Sequence, residues 1–348
     1  MAEPIRILTA VPICDGHDSA INTINLELIR GGVEVVYLGY HRSARDIVRA
    51  AIQEDVRAIG LSSYNGGHVE FFAEVIDLLK EKRATHIRVF GGGGATITKA
   101  DAARMCRKGV DRIFFAGEPL GEMVEWVKKQ YARPPRTKSA ARRSTTGQKR
   151  STRCIGVTGP GGAGKTTLID ELVLRWLKTK PGARLAILSH DPSIIGSGAL
   201  LGDRATMIHS QDDRVFMRSV ATRRRAGGLS TETGRWLREL KGGRFDVVFV
   251  ETVGIGQEAL PFRGGLVDTS IFVMGSDYGS RLQLQKIAML DAADIVVVNK
   301  SDLAGAATAV TEIEQRLAAN HRGQQVIATV AKRHRDPGVD RLFEEVCS

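Results

Sequence analysis

The segment that decides the fold reads GPGGAGKT and occupies residues 159–166. It follows an apolar run at 154–158 and precedes a run with helical spacing at 167–177. Glycines at this spacing let backbone amides and a helix N-terminus surround phosphates, while the lysine neutralises their charge and the threonine holds Mg²⁺. A Walker A loop between a strand and a helix predicts an α/β nucleotide-binding domain. The residues expected to bind nucleotide in this loop are Gly159, Gly161, Gly162, Ala163, Gly164, Lys165, Thr166 and Thr167.

A second motif selects the base. The run Ile295–Val298 leads into Asn299-Lys300-Ser301-Asp302. A carboxylate at the fourth position can accept two hydrogens from guanine N1 and its exocyclic amine, which adenine cannot offer. We therefore predict that Asn299, Lys300 and Asp302 bind GTP.

The first half alternates strands with amphipathic helices. Strands are predicted at 5–11, 33–38, 58–62, 87–90 and 112–116. Five such units predict a flavodoxin-like (Rossmann-like) parallel sheet whose ligand lies at the carboxyl ends of the strands. Three features fall on that edge: DGHDSA at 15–20, SSYNGG at 62–67 and GGGG at 91–94.

The first of these features resembles the Asp-x-His-x-x-Gly motif of cobalamin-binding domains, with Ala20 at the glycine position. The resemblance implies that His17 binds cobalt, and Asp15 would orient its imidazole as a hydrogen-bond partner. It also implies that Ser62, Gly91, Gly92 and Gly93 line the slot for the nucleotide tail. Tyr64 stands where the family has leucine.

The second half resembles the MeaB/ArgK-like G proteins (G3E/SIMIBI-type P-loop NTPases), which serve cobalamin-dependent mutases. The resemblance rests on Asp191-Pro-Ser, Leu201-Gly-Asp-Arg204 and ETVGIGQ at 251–257. It implies that Asp191 and Glu251 join Thr166 at Mg²⁺, and that Lys165 and Glu251 carry hydrolysis. Gln257 is a candidate for positioning water, and 275–286 resembles an additional switch.

This domain order matches the start of fused isobutyryl-CoA mutases, in which a substrate-binding barrel follows. The resemblance implies adenosylcobalamin and GTP with Mg²⁺ as cofactors. It also implies a GTP-hydrolysing subunit that gates cofactor loading, with the acyl-CoA mutase barrel on another chain or in the missing part of a fusion. An adenosyltransferase is a further candidate partner. Two alternatives stay open: a cobalamin sensor or corrinoid carrier with a regulatory GTPase, and a G-protein metallochaperone.

Composition sets the remaining expectations. The chain has 348 residues and a net charge of +11, and residues 133–153 carry eight Lys or Arg and no acid. That charge lies mostly in a linker, so it does not favour nucleic acid as a partner. We predict a cobalamin domain at 1–132, a basic flexible linker at 133–152 and a GTPase domain at 153–348. Without a signal pattern or an apolar run of spanning length, we expect a cytoplasmic protein with no membrane partner.

Overall fold

The computed structural model describes residues 4–13, 15–16, 19–94, 96–132, 151–193, 198–223, 227–243, 245–254, 260–275, 288–320 and 322–347. Contacts divide the chain into two compact units. The first unit comprises 1–143 with 192–205, and the second comprises 144–191 with 206–348. Each unit is built on one sheet, and every strand pair in both sheets is parallel. The predicted α/β class is therefore confirmed.

The described residues form strands and helices that alternate along most of the chain. The strands are β1 (Arg6–Ala10), β2 (Glu34–Tyr37), β3 (Ala58–Ser62), β4 (Arg88–Gly92), β5 (Ile113–Phe114), β6 (Arg153–Thr158), β7 (Leu185–Asp191), β8 (Ala199–Leu201), β9 (Val215–Ala221), β10 (Val247–Glu251), β11 (Thr269–Gly275), β12 (Ile295–Asn299) and β13 (Gln325–Ala328). The helices are α1 (Ser19–Arg30), α2 (Ala44–Gln53), α3 (His68–Glu81), α4 (Lys99–Lys108), α5 (Leu120–Gln130), α6 (Lys165–Thr179), α7 (Asp203–Thr206), α8 (Thr233–Lys241), α9 (Ala288–Ala292), α10 (Ala306–Ala318) and α11 (Pro337–Cys347).

The sheet of the first unit has the order β5-β4-β3-β1-β2-β8. Its first five strands follow the predicted flavodoxin-like arrangement, and β1, β2 and β3 are buried on both faces, which explains their continuous apolar runs. Because β1 lies between β2 and β3, the loops after these three strands are neighbours at one edge. That edge carries the predicted cobalamin motif.

The sixth strand of this sheet comes from far along the sequence. Strand β8 pairs with β2 in parallel register, with Val35 opposite Leu200. The residue before it, Gly198, tolerates no side chain, because a Cβ there would lie 1.8 Å from the Val33 carbonyl oxygen. Residues 192–205 therefore belong to the first unit, whereas the sequence prediction had assigned them to the GTPase domain.

An ion cluster fastens this sixth strand to the unit. The Arg204 side chain is fully buried, and its Nη1 lies 3.2 Å from Oε1 of the equally buried Glu54. Arg6 contacts Glu54 at 3.4 Å and Glu34 at 2.7 Å, so two guanidinium groups face two carboxylates. Charges that are paired and hydrogen-bonded in this way can stay buried, whereas an isolated charge could not.

The second unit has the sheet order β13-β12-β11-β6-β10-β7-β9. Helix α6 and the C-terminal α11 pack on one face through an apolar cluster that includes Leu172, Trp176 and Leu342. Helix α10 covers the other face of the sheet and packs on it through Ile313. Among the described residues, no helix is long and apolar enough to span a membrane.

Candidate functional site

Asp15 anchors the turn that follows β1. Its carboxylate is fully buried and accepts hydrogen bonds from the backbone N–H groups of Tyr64 and Asn65, the latter at 3.2 Å. Hydrogen bonds from two amides to one carboxylate are charge-assisted and hold the turn firmly against the loop after β3. The structure thus brings together two of the three predicted features of this edge. His17, the predicted cobalt ligand, lies outside the described residues.

A cavity of about 310 Å³ opens at the same edge of the first unit. Ser62, which is 4% exposed, and Gly91, Gly92 and Gly93 all line it. Ala20 lines it too. The wall is mostly apolar with a few hydroxyl groups, as is usual for a small-molecule site.

The glycine run also has a physical reason within the protein itself. In the structure, a Cβ on Gly91 would lie 2.5 Å from the Leu61 carbonyl, and one on Gly93 would lie 1.7 Å from the Ser63 carbonyl. The run is therefore required by contacts within the protein, which form the wall of the cavity.

Several lining residues were not predicted. They include Thr9 in β1, the α1 residues Thr23 and Ile24, and residues in or after β4 and β5. The carboxyl-end rule could have located the stretch after β5, since those residues follow a strand at the same edge. These further residues are Phe90, Phe114, Phe115, Ala116, Gly117, Glu118, Leu120 and Met123.

The phosphate loop of the second unit has the expected form. Gly159 and Gly164 have φ values of 146° and 88°, which favour glycine, and α6 begins at Lys165. The Lys165 ammonium donates to the carbonyls of Gly159 at 3.1 Å and Pro160 at 3.0 Å. It therefore lies beside the loop that is to hold the phosphates.

Hydroxyl and carboxylate oxygens converge next to this loop. The Thr166 hydroxyl donates to Glu251 Oε1 at 2.6 Å, and the Ser189 hydroxyl donates to Glu251 Oε2 at 3.4 Å. Asp191 ends the neighbouring strand and is 7% exposed. Oxygen donors of this kind suit Mg²⁺, which takes one or two carboxylates and completes its shell with water and phosphate. The described residues contain no cluster of three or more His, Cys, Asp or Glu side chains that could hold a metal.

His190, which sequence reasoning missed, supports the end of β10 that carries Glu251. Its Nδ1–H donates to the Glu251 carbonyl at 2.7 Å, and its Nε2 lies 2.8 Å from the Thr233 hydroxyl. Burial lowers the pKa of His190 to about 4, although its hydrogen bond to the Glu251 backbone opposes that shift. A neutral imidazole therefore connects the end of β10 to the start of α8.

The base-selecting motif forms the second part of the nucleotide site. The Asn299 amide donates to the Ala163 carbonyl at 2.9 Å and accepts from the Ala331 N–H at 3.0 Å. Asn299 thereby joins the phosphate loop to the loop after β13. A cavity of about 150 Å³ lies here, lined by Gly164, Thr167, Asn299, Lys300, Asp302, Leu303, Val330, Ala331 and Lys332.

Lys332 adds a charge that the motif did not indicate. Its ammonium lies 2.6 Å from Asp302 Oδ2, and this hydrogen bond lowers the pKa of the Asp302 carboxyl. Asp302 is thus kept ionised, as a hydrogen-bond acceptor. Val330, Ala331 and Lys332 could have been found because they follow a strand adjacent to β12 at the same edge.

Some predicted elements lie outside the described residues. They are Gln257, the switch-like residues 276–286 and most of the basic linker, 133–150.

Family models match both halves of the chain. The model described as "Methylmalonyl Co-A mutase-associated GTPase MeaB" matches residues 122–348, and the model described as "B12 binding domain" matches residues 5–124. Fused isobutyryl-CoA mutases from Geobacillus kaustophilus and Cupriavidus metallidurans are each 36% identical, over 97% and 99% of this chain. A putative GTPase from Pyrococcus abyssi is 41% identical over 47% of this chain and 50% of its own length.

The chain spans about a third of the length of the fused mutases that it matches, 36% and 35% respectively. The crystal structure of a LAO/AO transport system kinase aligns with a TM-score of 0.42 and 19% identity, over 87% of this chain and 74% of that one, which adds nothing to the assignment. The family model covers more than half of the chain and includes the whole nucleotide site described above. The chain therefore belongs to the family of MeaB-type, mutase-associated GTPases, here preceded by a B12-binding domain.

Proposed function

We propose that this chain carries adenosylcobalamin for an acyl-CoA mutase of the isobutyryl-CoA or methylmalonyl-CoA type and gates cofactor loading by GTP hydrolysis. The substrate-binding barrel would lie on another chain or in a further part of a fusion. The observation that carries the proposal is the cavity beside the Asp15 turn, in a chain that also has a guanine-nucleotide site. The relatedness to fused isobutyryl-CoA mutases supports the choice of partner.

The first unit would bind the cofactor through its sheet edge. His17 would be the cobalt ligand, and the buried Asp15 would hold the turn that presents it. Ser62 and the glycine run would enclose the nucleotide tail in the mostly apolar cavity, where the tail is shielded from water. Bound adenosylcobalamin would supply the cobalt–carbon bond whose homolysis starts carbon-skeleton rearrangement.

The second unit would hydrolyse GTP. Lys165 would exchange its two carbonyl acceptors for phosphate oxygens and stabilise the charge that develops on them. Thr166, Asp191 and Glu251 would hold Mg²⁺ against the same phosphates. Asp302 would select guanine.

The first experiment titrates the full chain with adenosylcobalamin and records its absorbance spectrum. A base-off, histidine-bound spectrum is expected for the wild type and should be lost in His17→Ala. The control is His86→Ala, because His86 precedes β4 and so lies at the opposite edge of the sheet from the cavity. An unchanged spectrum in His17→Ala would refute the cobalt assignment, and failure of the wild type to bind would favour the metallochaperone alternative.

The second experiment tests the partner and the nucleotide. Acyl-CoA isomerisation should appear only when a mutase barrel subunit is added to the cobalamin-loaded chain. If candidate barrels give no activity although cobalamin binds, the result favours the sensor or carrier alternative.

Asp302→Asn tests the choice of base. This variant should shift preference from GTP to xanthosine triphosphate, because an amide donates to the xanthine oxygen where the carboxylate accepted from guanine.

A further inference from the structure

The turn that precedes His17 is held from two sides. On the β3 side, Asp15 accepts from the backbone of Tyr64 and Asn65. On the β2 side, the ladder continues past both strands: the Val11 N–H donates to the Gly39 carbonyl at 3.0 Å, and the Arg42 N–H donates to the Val11 carbonyl at 3.1 Å. Among the described residues, these backbone bonds reach no further than Val11, so support for Ile13 on this side has to come from a side chain.

His41 supplies that support. Its Nδ1–H donates to the Ile13 carbonyl at 3.1 Å, since a carbonyl can only accept. The Cε1–Nε2 edge of the same ring faces Gly16: a Cβ built there would lie 3.5 Å from Cε1 and 3.6 Å from Nε2, an ordinary van der Waals distance. One imidazole therefore bonds the turn at Ile13 and lies beside Gly16, the residue immediately before His17.

The backbone of His41 shows that this position has a cost. His41 is exposed and has a φ of 56°, a left-handed conformation that glycine and asparagine adopt more readily than histidine. The left-handed backbone also decides which substitutions can test the side chain without adding strain, since glycine and asparagine both fit it.

We infer that His41 is a positioning residue for the cobalamin site, which holds the turn from the β2 side while Asp15 holds it from the β3 side. The inference rests on the proposed function, because the turn matters through His17. Without His41, the turn samples more conformations, and binding of cobalt by His17 must restrict them. The loss is then expected in cobalamin affinity and in the fraction of histidine-bound cofactor.

The test uses the full chain and adenosylcobalamin, with the dissociation constant and the absorbance spectrum measured together. His41→Gly removes the ring but suits the left-handed backbone, so the effect of the side chain is not mixed with added strain. His41→Asn also suits that backbone, and its amide can donate to the Ile13 carbonyl. The matched control is Arg83→Gly, a change at another exposed residue of the first unit with a positive φ of 53°.

His41→Gly should weaken binding by about fivefold, the factor that one ordinary hydrogen bond contributes, and should lower the histidine-bound fraction. His41→Asn should restore most of both, and Arg83→Gly should match the wild type. Equal affinity and spectrum in His41→Gly and the wild type would overturn the inference, as would an Asn variant as impaired as the Gly variant. If the wild type binds no cobalamin or His17→Ala keeps the spectrum, the proposed function itself fails, and the inference with it.

Discussion

Replacing Arg204 with methionine should weaken the pairing of β8 with β2 in the sheet of the first unit. The arginine and Glu54 are both fully buried, and Arg204 Nη1 lies 3.2 Å from the carboxylate. Methionine fills much of the same volume but removes this cation, while Arg6 stays 3.4 Å from Glu54 and is shared with Glu34. The buried Glu54 carboxylate then has less positive charge beside it.

The size of the stability loss follows from the removal of this buried partner. Removing one partner of a buried ion pair costs roughly 3–5 kcal/mol, because the remaining charge stays desolvated. Arg6 still compensates part of the Glu54 charge, so we expect a loss of about 3 kcal/mol, the lower end of that range. In the double variant Arg204→Met with Glu54→Met, the remaining Arg6–Glu34 pair is balanced. Its loss should be at least about 2 kcal/mol smaller than the sum of the two single losses.

Hydrogen exchange with mass spectrometry measures this effect locally, which suits a chain of two units that need not unfold together. Peptides that cover 33–38 and 198–205 should lose protection together by about a hundredfold in Arg204→Met. Peptides from α6 should be unchanged. The control is Arg30→Met, since the Arg30 pair with Glu27 is exposed and is expected to contribute less than about 0.5 kcal/mol. A loss below about 1 kcal/mol in Arg204→Met, or a double variant that equals the sum of the singles, would refute the reasoning.

Two further predictions concern the second unit. Asn299→Ala removes the bonds from the amide to Ala163 and Ala331, so GDP affinity measured by calorimetry should fall by about ten- to a hundredfold; an unchanged affinity would contradict the role of Asn299. Burial raises the pKa of the Cys154 thiol to about 11, so iodoacetamide at pH 8 should modify the exposed Cys106 long before Cys154. Rapid labelling of Cys154 at pH 8 would contradict this assignment. Because the folded state keeps the Cys154 proton, the contribution of this thiol to the stability of the second unit should be full below pH 8.5 and should be lost as the pH rises toward 11.

Much of the fold could be predicted because its signals are local. The phosphate loop, the guanine motif and the alternation of buried strands with amphipathic helices each lie within a few consecutive residues, and all reappear in the structure close to the expected positions. The carboxyl-end rule then placed Ser62 and the glycine run on one cavity wall. Lys332 and His190 escaped prediction because neither belongs to a motif: each acts through a partner from a different strand.

By itself, the sequence determined the strands of the first half, the nucleotide motifs and the edge on which the ligands should lie, because these follow from residue spacing and from the parallel sheet. Only the tertiary structure decided that residues 192–205 belong to the first unit. Three residues of strand carry no usable periodicity, and the choice of β2 as partner depends on contacts more than 140 positions apart, such as the 165 positions between Glu34 and Ala199. Burial of Arg204 opposite Glu54 likewise depends on two distant segments that come together, so no local pattern could have predicted it.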